Sequence, residues 1–414
     1  MIGYDDALPR LLKHARRLEH ESCATGQALG RILASDVPSP MDLPSFDHSA
    51  MDGYALRAPD TLAAGSEHRV VGSQAAGDAW RESRGAACEI MTGARLPHGL
   101  DTVVPVERTE LLERHADGSP ARIRLLEAVS PRVNVRYAGS DVASGAAVLL
   151  AGTCIEANHL MLLAALGVAE VSVARVPRVA IVCTGKELQP DPSVPLSDGQ
   201  IYGSNGPYLA AAFASMGTQV LACETVDDTG EAYVAAIERA RAAGADLIVS
   251  TGAVSMGRYD FVPDALAALG ADELFHKVAI RPGKPQLAAT LGNTLVFALP
   301  GTPMAVAVGL RFFIAPVLRA MRGQAQEPAW QAVLDTPQQL KTGLRHFLRA
   351  NVTQDKEGRL HARVLAQQQP FRIQPFAQAD AWVVVPESAA GDLSEGAQVT
   401  VASLHAGMPL CAGL

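Results

Sequence analysis

The sequence lacks paired cysteines and an uninterrupted apolar run. Six cysteines are scattered over 414 residues without a C-x-x-C pair, a usage typical of a reducing compartment, where free thiols are buried as small apolar residues. The longest apolar run, 295–310, is broken by Pro300, Gly301 and Pro303, and the N-terminus shows no apolar signal core. We therefore expect a soluble, cytoplasmic protein with no membrane span.

Basic residues are fewer than acidic ones, 35 against 43. The formal net charge is −8, and charged residues make up 19% of the chain against 48% apolar residues. Nonspecific binding of nucleic acid needs a basic surface, so no nucleic-acid partner is expected. An anionic ligand must instead meet a local basic cluster. The composition is that of a well-cored globular protein, and the length predicts roughly two to four domains.

Several common catalytic motifs are missing. The chain has no G-x-x-x-x-G-K-[ST], no H-E-x-x-H and no strand-linked G-x-G-x-x-G. Its eleven histidines lack ligand spacing, which argues against a zinc site. Residues 253–257 resemble a nucleophile elbow, but Ala253 replaces the first glycine and no His/Asp partner is evident. A serine hydrolase is therefore disfavoured.

The periodicity of apolar residues divides the chain into regions. Helices are predicted at 4–18 and 156–166, and short strands at 66–135. Strands alternate with helices over 177–325, which predicts a doubly wound sheet, and strands return near the C-terminus. The fold class is thus multidomain α/β plus β. We place the domains at 1–45 with 145–176, 46–144, 177–326 and 327–414.

Carboxylates follow three predicted strands of the α/β region. They are Glu187, Asp227 with Asp228, and Asp260, the last of which follows the strand 247–250 and a turn that contains Gly252. The carboxyl ends of parallel strands share one edge of a sheet, and carboxylates gathered there can hold Mg²⁺ together with substrate phosphates. Taken singly, Asp260 is more simply a helix N-cap, and Asp227 and Asp228 are more simply first-turn charges that complement a helix dipole; together on one edge they favour a site.

Cations are predicted beside these carboxylates. On a strand at 274–280, Lys277 and Arg281 would share one face, and a Pro-Gly turn would bring Lys284 close. Such cations can clamp a phosphate or another oxyanion, although a charged edge strand is the simpler interpretation. The turn at 300–303 precedes a predicted helix at 304–321, whose N-terminus is either an anion site or only a tight turn.

Short motifs along nearly the whole chain resemble the molybdopterin molybdenumtransferase family (MoeA and the E domain of gephyrin). In the order of that family they are GRILA (30–34), SAMDGYA (49–55), IMTGA (90–94), GSD (139–141), DGQIY (198–202) and PGKP (282–285). The resemblance implies an elongated homodimer of four domains: a linker and dimerisation domain, a β-rich insert, a MogA-like molybdopterin-binding α/β domain and a C-terminal β-barrel. It also implies an active cleft completed by the partner subunit.

The resemblance implies an Mg²⁺-dependent reaction that inserts molybdate into adenylylated molybdopterin and releases AMP. A molybdopterin-adenylylating protein and molybdoenzyme apoproteins are possible partners. Glu187 and Asp260 are expected to organise the metal. The implied catalytic residues are Asp52, Thr92, Asp141, Glu187, Asp227, Asp260, Lys277, Arg281 and Arg349. The turn residues assigned to substrate binding are Thr184, Gly185, Ser250, Gly252, Ser255, Lys284, Pro300 and Gly301.

The chain departs from the family pattern near the expected cleft. The departures are Lys186 for an aspartate, Ala253 for a glycine, Arg281 for a lysine, Thr302 for an asparagine, and Gln369-Pro370 for Gly-Ser. They keep two alternatives open. One is a divergent paralogue that binds molybdopterin or a protein partner without catalysis. The other is a molybdopterin adenylyltransferase.

Overall fold

The N-terminal helix packs on a distant part of the chain. The computed structural model describes residues 1–83, 85–254 and 261–407. Its first elements are α1 (Tyr4–His14), β1 (His20–Ala24) and β2 (Val37–Pro38). Helix α1 ends four residues earlier than predicted. Its buried residues Ala7 and Leu11 belong to the largest hydrophobic cluster, which lies mainly in the α/β region, so α1 is anchored there.

The predicted β-rich insert is confirmed. Its strands are β3 (His48–Ser49), β4 (Gly53–Leu56), β5 (Glu67–Gln74), β6 (Ala87–Ile90), β7 (Thr102–Pro105), β8 (Thr109–Arg114), β9 (Pro120–Leu125) and β10 (Val135–Arg136). Six of them form one sheet in the order β7-β4-β6-β5-β9-β8. The chain then forms β11 (Ala147–Leu149), α2 (Ala157–Ala165) and β12 (Glu170–Ala174). Strand β12 pairs with β1, and β11 pairs with β2, so segments on both sides of the insert build one module.

The α/β region forms a mixed six-stranded sheet. Its elements are β13 (Arg178–Thr184), β14 (Leu188–Gln189), β15 (Ile201–Tyr202), α3 (Asn205–Ser215), β16 (Gln219–Val226), α4 (Gly230–Ala242), β17 (Leu247–Thr251), α5 (Val262–Ala268), β18 (Asp272–His276), β19 (Ile280–Arg281), β20 (Leu287–Leu291), β21 (Thr294–Leu299), α6 (Pro303–Gly309) and α7 (Ala315–Arg322). The order is β16-β13-β17-β21-β20-β18. The first four strands pair in parallel with one another, whereas β20 pairs antiparallel with both of its neighbours, β21 and β18. Helices cover both faces, which explains the continuous apolar runs of β13, β17 and β21.

Helices α6 and α7 are joined by a π turn at Leu310–Ile314. By length and composition the resulting helix 303–322 is apolar enough to cross a membrane, yet most of its apolar stretch is buried inside the protein. The buried Arg311 lies in its middle and donates from Nε to the carbonyl of Ser403 at 3.0 Å. This helix is therefore a core element of the fold.

The C-terminal region is a closed barrel, as predicted. Its elements are β22 (Trp330–Leu334), β23 (Gln338–Gln339), β24 (Arg345–Gln354), β25 (Leu360–Val364), α8 (Gln374–Ala377), β26 (Ala381–Val385), β27 (Asp392–Leu393) and β28 (Gln398–Ser403). Pairing runs from β24 through β25, β22, β28 and β26 back to β24. Five strands thus enclose one apolar core.

The strand predicted at 274–280 is wrong, because the backbone turns at Lys277. This residue has φ +71°, a left-handed conformation that interrupts a strand. Strand β18 ends at His276 and stays in the α/β sheet, whereas β19 pairs in parallel with β24 of the barrel. Lys277 and Arg281 therefore do not share a strand face. Arg281 instead lies where the two domains meet.

An ionic cluster on the barrel makes its stability depend on pH. His361 bonds through Nδ1 to Asp335 at 2.9 Å and through Nε2 to Asp355 at 3.2 Å. These hydrogen bonds raise the pKa of His361 above 6.5. The stabilisation is therefore complete below the unfolded-state pKa and is lost as pH rises through the folded-state pKa. We expect His361→Gln to reduce barrel stability more at about pH 5.5 than at about pH 8.5.

Chemical denaturation of both proteins at the two pH values measures this difference. Arg359 and Arg363 also contact the two aspartates, but they stay charged throughout this range. An equal effect of the substitution at both pH values would contradict the assignment.

Candidate functional site

A cavity of about 640 Å³ opens at the carboxyl edge of the parallel strands. Strands β13, β17 and β21 end beside it, and the loop 280–285 forms another wall. Leu344 and Pro370 extend the wall from the barrel region. This is the edge at which open α/β sheets bind ligands, and the volume is that of a typical small-molecule pocket.

Eight of the predicted site residues line this one cavity. They are Thr184, Gly185, Glu187, Gly252, Arg281, Lys284, Pro300 and Gly301. They come from four separate connections; three follow the parallel strands β13, β17 and β21, and the fourth, 280–285, is placed by the pairing of β19 with the barrel. Their individual roles stay predictions.

Two glycines let the cavity floor close tightly. A β-carbon on Gly252, whose φ is +100°, would lie 2.5 Å from Thr184 Oγ1 and 2.7 Å from the Thr184 carbonyl oxygen. A β-carbon on Gly185 would lie 2.8 Å from Oε1 of Glu187. The turn after β17 therefore packs directly on the end of β13, and the Glu187 carboxylate folds back over Gly185. Side chains at either position would displace the floor.

Opposite charges line the cavity. Arg281 and Lys284 are exposed on one loop. Glu187 and Asp228 are also exposed, in the connections that follow β13 and β16. Within the described ranges, no group of three or more His, Cys, Asp or Glu side chains is arranged to hold a metal ion. Mg²⁺ usually binds through one or two carboxylates together with waters and substrate phosphates. The pair Glu187 and Asp228 fits that donor set.

Several predicted residues do not line the cavity. Asp227 is replaced there by its neighbour Asp228. Lys277 is half-buried outside the lining. Ser250 is fully buried, and its hydroxyl lies 3.1 Å from that of Tyr233 inside the sheet packing. The Ser250 hydroxyl is thus held outside the lining, and its role in substrate binding stays a prediction. Ser255 and Asp260 lie outside the described residues.

Arg349 is buried behind the cavity wall and holds the loop that carries Pro370. It is 1% exposed, and its guanidinium donates to the carbonyl oxygens of Arg372 at 2.5 Å and Gln367 at 2.8 Å. Burial lowers its pKa. Its donors thus fix the loop that carries Pro370. Arg349 is held outside the lining, and the catalytic role that the resemblance implies for it stays a prediction.

The remaining predicted residues lie in or beside the β-rich insert. Asp52 Oδ1 accepts from the backbone N–H of Thr92 at 2.6 Å and from its hydroxyl at 2.9 Å. These bonds hold the pKa of Asp52 below its usual value. Asp141 is exposed on a turn whose backbone bonds to Leu43. None of the three lines the cavity of the same subunit.

The departures from the family pattern have limited structural consequences. Lys186 is exposed and lies outside the lining. Ala253 adopts φ +48°, and its methyl group packs against the hydrophobic cluster between the sheet and α4 and α5. Thr302 lines the cavity and directly precedes α6. The turn at Gly252 therefore keeps its close packing on Thr184, although an alanine follows it.

Of the two alternatives for the N-terminus of α6, the backbone hydrogen bonds favour a tight turn over an anion site. The Met304 N–H donates to the Pro370 carbonyl at 3.1 Å, and the Ala305 N–H donates to Thr302 at 3.0 Å. Pro303 has no N–H to offer. The first-turn donors are thus used, and the turn at 300–303 serves to join the sheet to the barrel loop.

Several lining residues were not predicted from the sequence. Asp228 is one of them, because adjacency in the sequence cannot separate it from Asp227. Ile280, Leu344 and Pro370 also line the cavity, but they carry no chemical signature. Leu344 and Pro370 lie outside the α/β region, so only the tertiary contact through β19 and β24 could reveal them.

The fold and cavity define a multidomain α/β protein with a ligand site at a sheet edge, opposed cations and carboxylates, and a barrel that closes one wall. Family comparisons agree. Residues 2–167 match "MoeA N-terminal region (domain I and II)", 180–320 match "Probable molybdopterin binding domain", and 331–404 match "MoeA C-terminal region (domain IV)". The chain belongs to the MoeA family, the molybdopterin molybdenumtransferases of molybdenum cofactor biosynthesis.

Individual relatives cover the chain from end to end. A molybdopterin molybdenumtransferase of Synechococcus elongatus is 36% identical over 98% of this chain and 100% of its own length. That of Bacillus subtilis is 32% identical over 94% and 91%. The solved structure of a molybdopterin biosynthesis MoeA protein from Pyrococcus horikoshii superimposes with a TM-score of 0.84, at 29% identity, over 98% of this chain and 99% of that one.

Proposed function

We propose that this protein inserts molybdate into adenylylated molybdopterin and releases AMP. The observation that carries the proposal is the cavity at the carboxyl sheet edge, which is lined by both Arg281 and Lys284 and by Glu187 and Asp228. The substrates are two anions, and both need cationic partners where they meet. The end-to-end similarity to molybdopterin molybdenumtransferases supports this substrate class.

The residues of the cavity have separable tasks in this reaction. Arg281 offers a planar fork that suits a phosphate or another tetrahedral oxyanion, and Lys284 offers a point charge. Residues of the turns at 184–185, 252–253 and 300–301 also line the cavity, and free N–H groups of such turns can attract anions. Together these groups hold the phosphate link and the molybdate next to each other, and they stabilise charge that develops as the link breaks.

We further propose that the reaction depends on Mg²⁺, held by Glu187 and Asp228 and, as the sequence predicts, by Asp260. The ion supplies charge neutralisation at the phosphate oxygens. Glu187 and Asp228 would hold the ion from two different connections of the sheet. Glu187 is suited to this task because its carboxylate is already folded over Gly185 at the floor.

AMP release is the direct test. Purified protein is supplied with adenylylated molybdopterin, with and without molybdate and Mg²⁺, and AMP is quantified by chromatography. Release that requires molybdate is expected. Binding of adenylylated molybdopterin without release would favour the non-catalytic paralogue, and consumption of ATP with molybdopterin would favour the adenylyltransferase.

Asp52, Thr92 and Asp141 enter the proposal through a homodimer. They do not line the cavity of their own subunit, so a partner subunit would have to supply them. Exposed Met51 and Met91 adjoin the Asp52–Thr92 pair, as expected for a surface that a partner covers.

Mixed dimers test this arrangement. Asp52→Ala and Lys284→Met are each expected to be nearly inactive. If one site combines residues of two subunits, subunit exchange between the variants restores about a quarter of wild-type activity, because half of the dimers then carry one intact site. Size-exclusion chromatography with light scattering confirms the dimer. Absence of recovery despite proven exchange would show that each site belongs to one subunit.

A further inference from the structure

The part of the cavity wall that carries Arg281 is a short segment held from both sides. Residues 278–281 lie between Ile2, near the start of the chain, and strand β24 of the barrel. The Ala279 N–H donates to the Ile2 carbonyl at 2.8 Å, and the Ala279 carbonyl accepts from the Arg345 N–H at 2.9 Å. The position of Arg281 therefore depends on two segments that lie outside the α/β sheet.

Arg345 joins these two segments. It lies on β24 between Leu344, which lines the cavity, and His346, which pairs with Arg281. The Arg345 side chain is buried, and its Nη1 and Nη2 donate to the two carboxylate oxygens of Asp5 at 2.9 and 2.8 Å. A planar guanidinium that bonds a carboxylate through two nitrogens fixes the angle between the groups as well as their distance. Helix α1 and strand β24 are thus held in one arrangement.

Two further side chains complete the cluster around Arg345. The Arg345 Nε lies 3.2 Å from a carboxylate oxygen of Glu387, as an ion pair without the geometry of a hydrogen bond. The Arg345 guanidinium carbon lies 4.4 Å from the centre of the Tyr4 ring, an attraction that strengthens on desolvation. The Tyr4 N–H donates to the other Glu387 oxygen at 3.2 Å. The start of α1 and the barrel therefore form one charged joint next to the cavity wall.

We propose that Arg345 is a positioning residue that sets where Arg281 stands in the cavity. This inference rests on the proposed function, because it concerns the anion that Arg281 receives. Arg345, Asp5 and Glu387 do not line the cavity, so they act through the backbone pairing of β19 with β24. A guanidinium fork binds a phosphate best when two of its donors meet two oxygens. A displacement of about 1 Å can therefore cost about 100-fold in rate.

A double-mutant cycle between Arg345 and Arg281 tests the inference. Arg345→Met is expected to lower kcat/KM for molybdate-dependent AMP release by roughly 10- to 100-fold, and to weaken AMP binding, measured by calorimetry, by about tenfold. In the Arg281→Met background the same substitution should change either quantity by no more than about threefold, because the group that it positions is already absent. A general loss of folding would instead lower both backgrounds alike.

Asp5→Asn is a second variant of the joint and is expected to fold, since the Asp5 side chain is 77% exposed. It keeps the shape of the side chain but loses its charge, and should reproduce the pattern at about 3- to 10-fold.

Arg175→Met is the matched control. Arg175 donates to both carboxylate oxygens of Asp246 at 2.9 and 2.8 Å, just as Arg345 does to Asp5. Asp246, however, precedes β17 at the edge of the sheet opposite the cavity. Arg175→Met should change AMP release by no more than about threefold, equally with and without Arg281.

Three outcomes would overturn the inference. They are normal AMP binding in both Arg345→Met and Asp5→Asn, equal losses from Arg345→Met with and without Arg281, and a loss from Arg175→Met as large as that from Arg345→Met. Circular dichroism and thermal unfolding show whether each variant is folded, and Asp5→Asn decides the case if Arg345→Met is not.

The inference and the proposed function can fail separately. Molybdate-dependent AMP release that is independent of Arg345 would reject only this inference. AMP binding that depends on Arg345 through Arg281, without AMP release from adenylylated molybdopterin, would reject only the proposed function.

Discussion

Replacing Lys284 with methionine is expected to lower kcat/KM for molybdate-dependent AMP release by roughly 100- to 1000-fold. Lys284 is exposed in the cavity wall, and methionine keeps most of its length while removing the charge. The loss should come from weaker stabilisation of anionic charge as the phosphate link breaks. Stability should change little, because Lys284 makes no ion pair among the described residues. Steady-state AMP release together with thermal unfolding measures both quantities.

Lys186→Met is the matched control for Lys284→Met. It removes the same charge from the same region of the sheet edge, but Lys186 lies outside the cavity lining. We expect a change in kcat/KM of no more than about threefold, as for a solvated surface charge. A large loss from Lys186→Met, or a small one from Lys284→Met, would mean that the substrate anions bind elsewhere.

Gly252→Ala is expected to destabilise the α/β domain by about 3–5 kcal/mol. Its φ of +100° disfavours any side chain, and the new methyl group would lie 2.5 Å from Thr184 Oγ1. Relief requires separating the ends of β13 and β17, so the cavity floor would also move. Hydrogen exchange of peptides from these two strands reports the opening free energy of this domain by itself.

The neighbouring substitution Ala253→Gly is the control for this prediction. Ala253 has φ +48°, a left-handed conformation that costs alanine about 1–2 kcal/mol. Glycine relieves that strain but has more freedom in the unfolded chain, so the net change should be within about 1 kcal/mol. Equal effects at the two positions would show that the floor is not packed as tightly as the geometry indicates.

The variant pairs at Lys284 and Lys186, and at Gly252 and Ala253, also test the departures from the family pattern. If Lys284 is essential while Lys186 is not, the cation at position 186 does not preclude catalysis. If wild-type protein lacks activity and the double variant Lys186→Asp, Ala253→Gly restores it, the non-catalytic paralogue is the better description. Ala253 lines the cavity and also packs against the hydrophobic cluster beside α4 and α5, so this double variant tests the site directly.

The sequence pattern predicted an element correctly where the burial of neighbouring residues along the chain is enough to define it. The buried strands β13, β17 and β21 are recognisable because a sheet covered on both faces needs continuous apolar runs. The strand at 274–280 failed for the opposite reason. Lys277 lies in an apolar alternation that is typical of a strand, but its backbone bends because the following residues pair with the barrel.

Some of the predicted site residues likewise line the cavity, and others do not. Residues at strand ends came together as expected, since parallel topology places them on one edge. Ser250 and Arg349 did not, because exposure of a side chain depends on which face packs and on what lies above it. Ser250 bonds to Tyr233 inside the sheet packing, and Arg349 is saturated by carbonyl oxygens of a loop about twenty residues away.

The sequence by itself determined the domain types, the parallel sheet edge and the residue types gathered there. These follow from apolar periodicity, turn residues and ordered motifs, all of which are local. Only the tertiary structure decided that Asp228 rather than Asp227 lines the cavity, and that the barrel region contributes to its wall through Leu344 and Pro370. Each depends on the separation and orientation of groups from distant segments, which packing sets and no local pattern encodes.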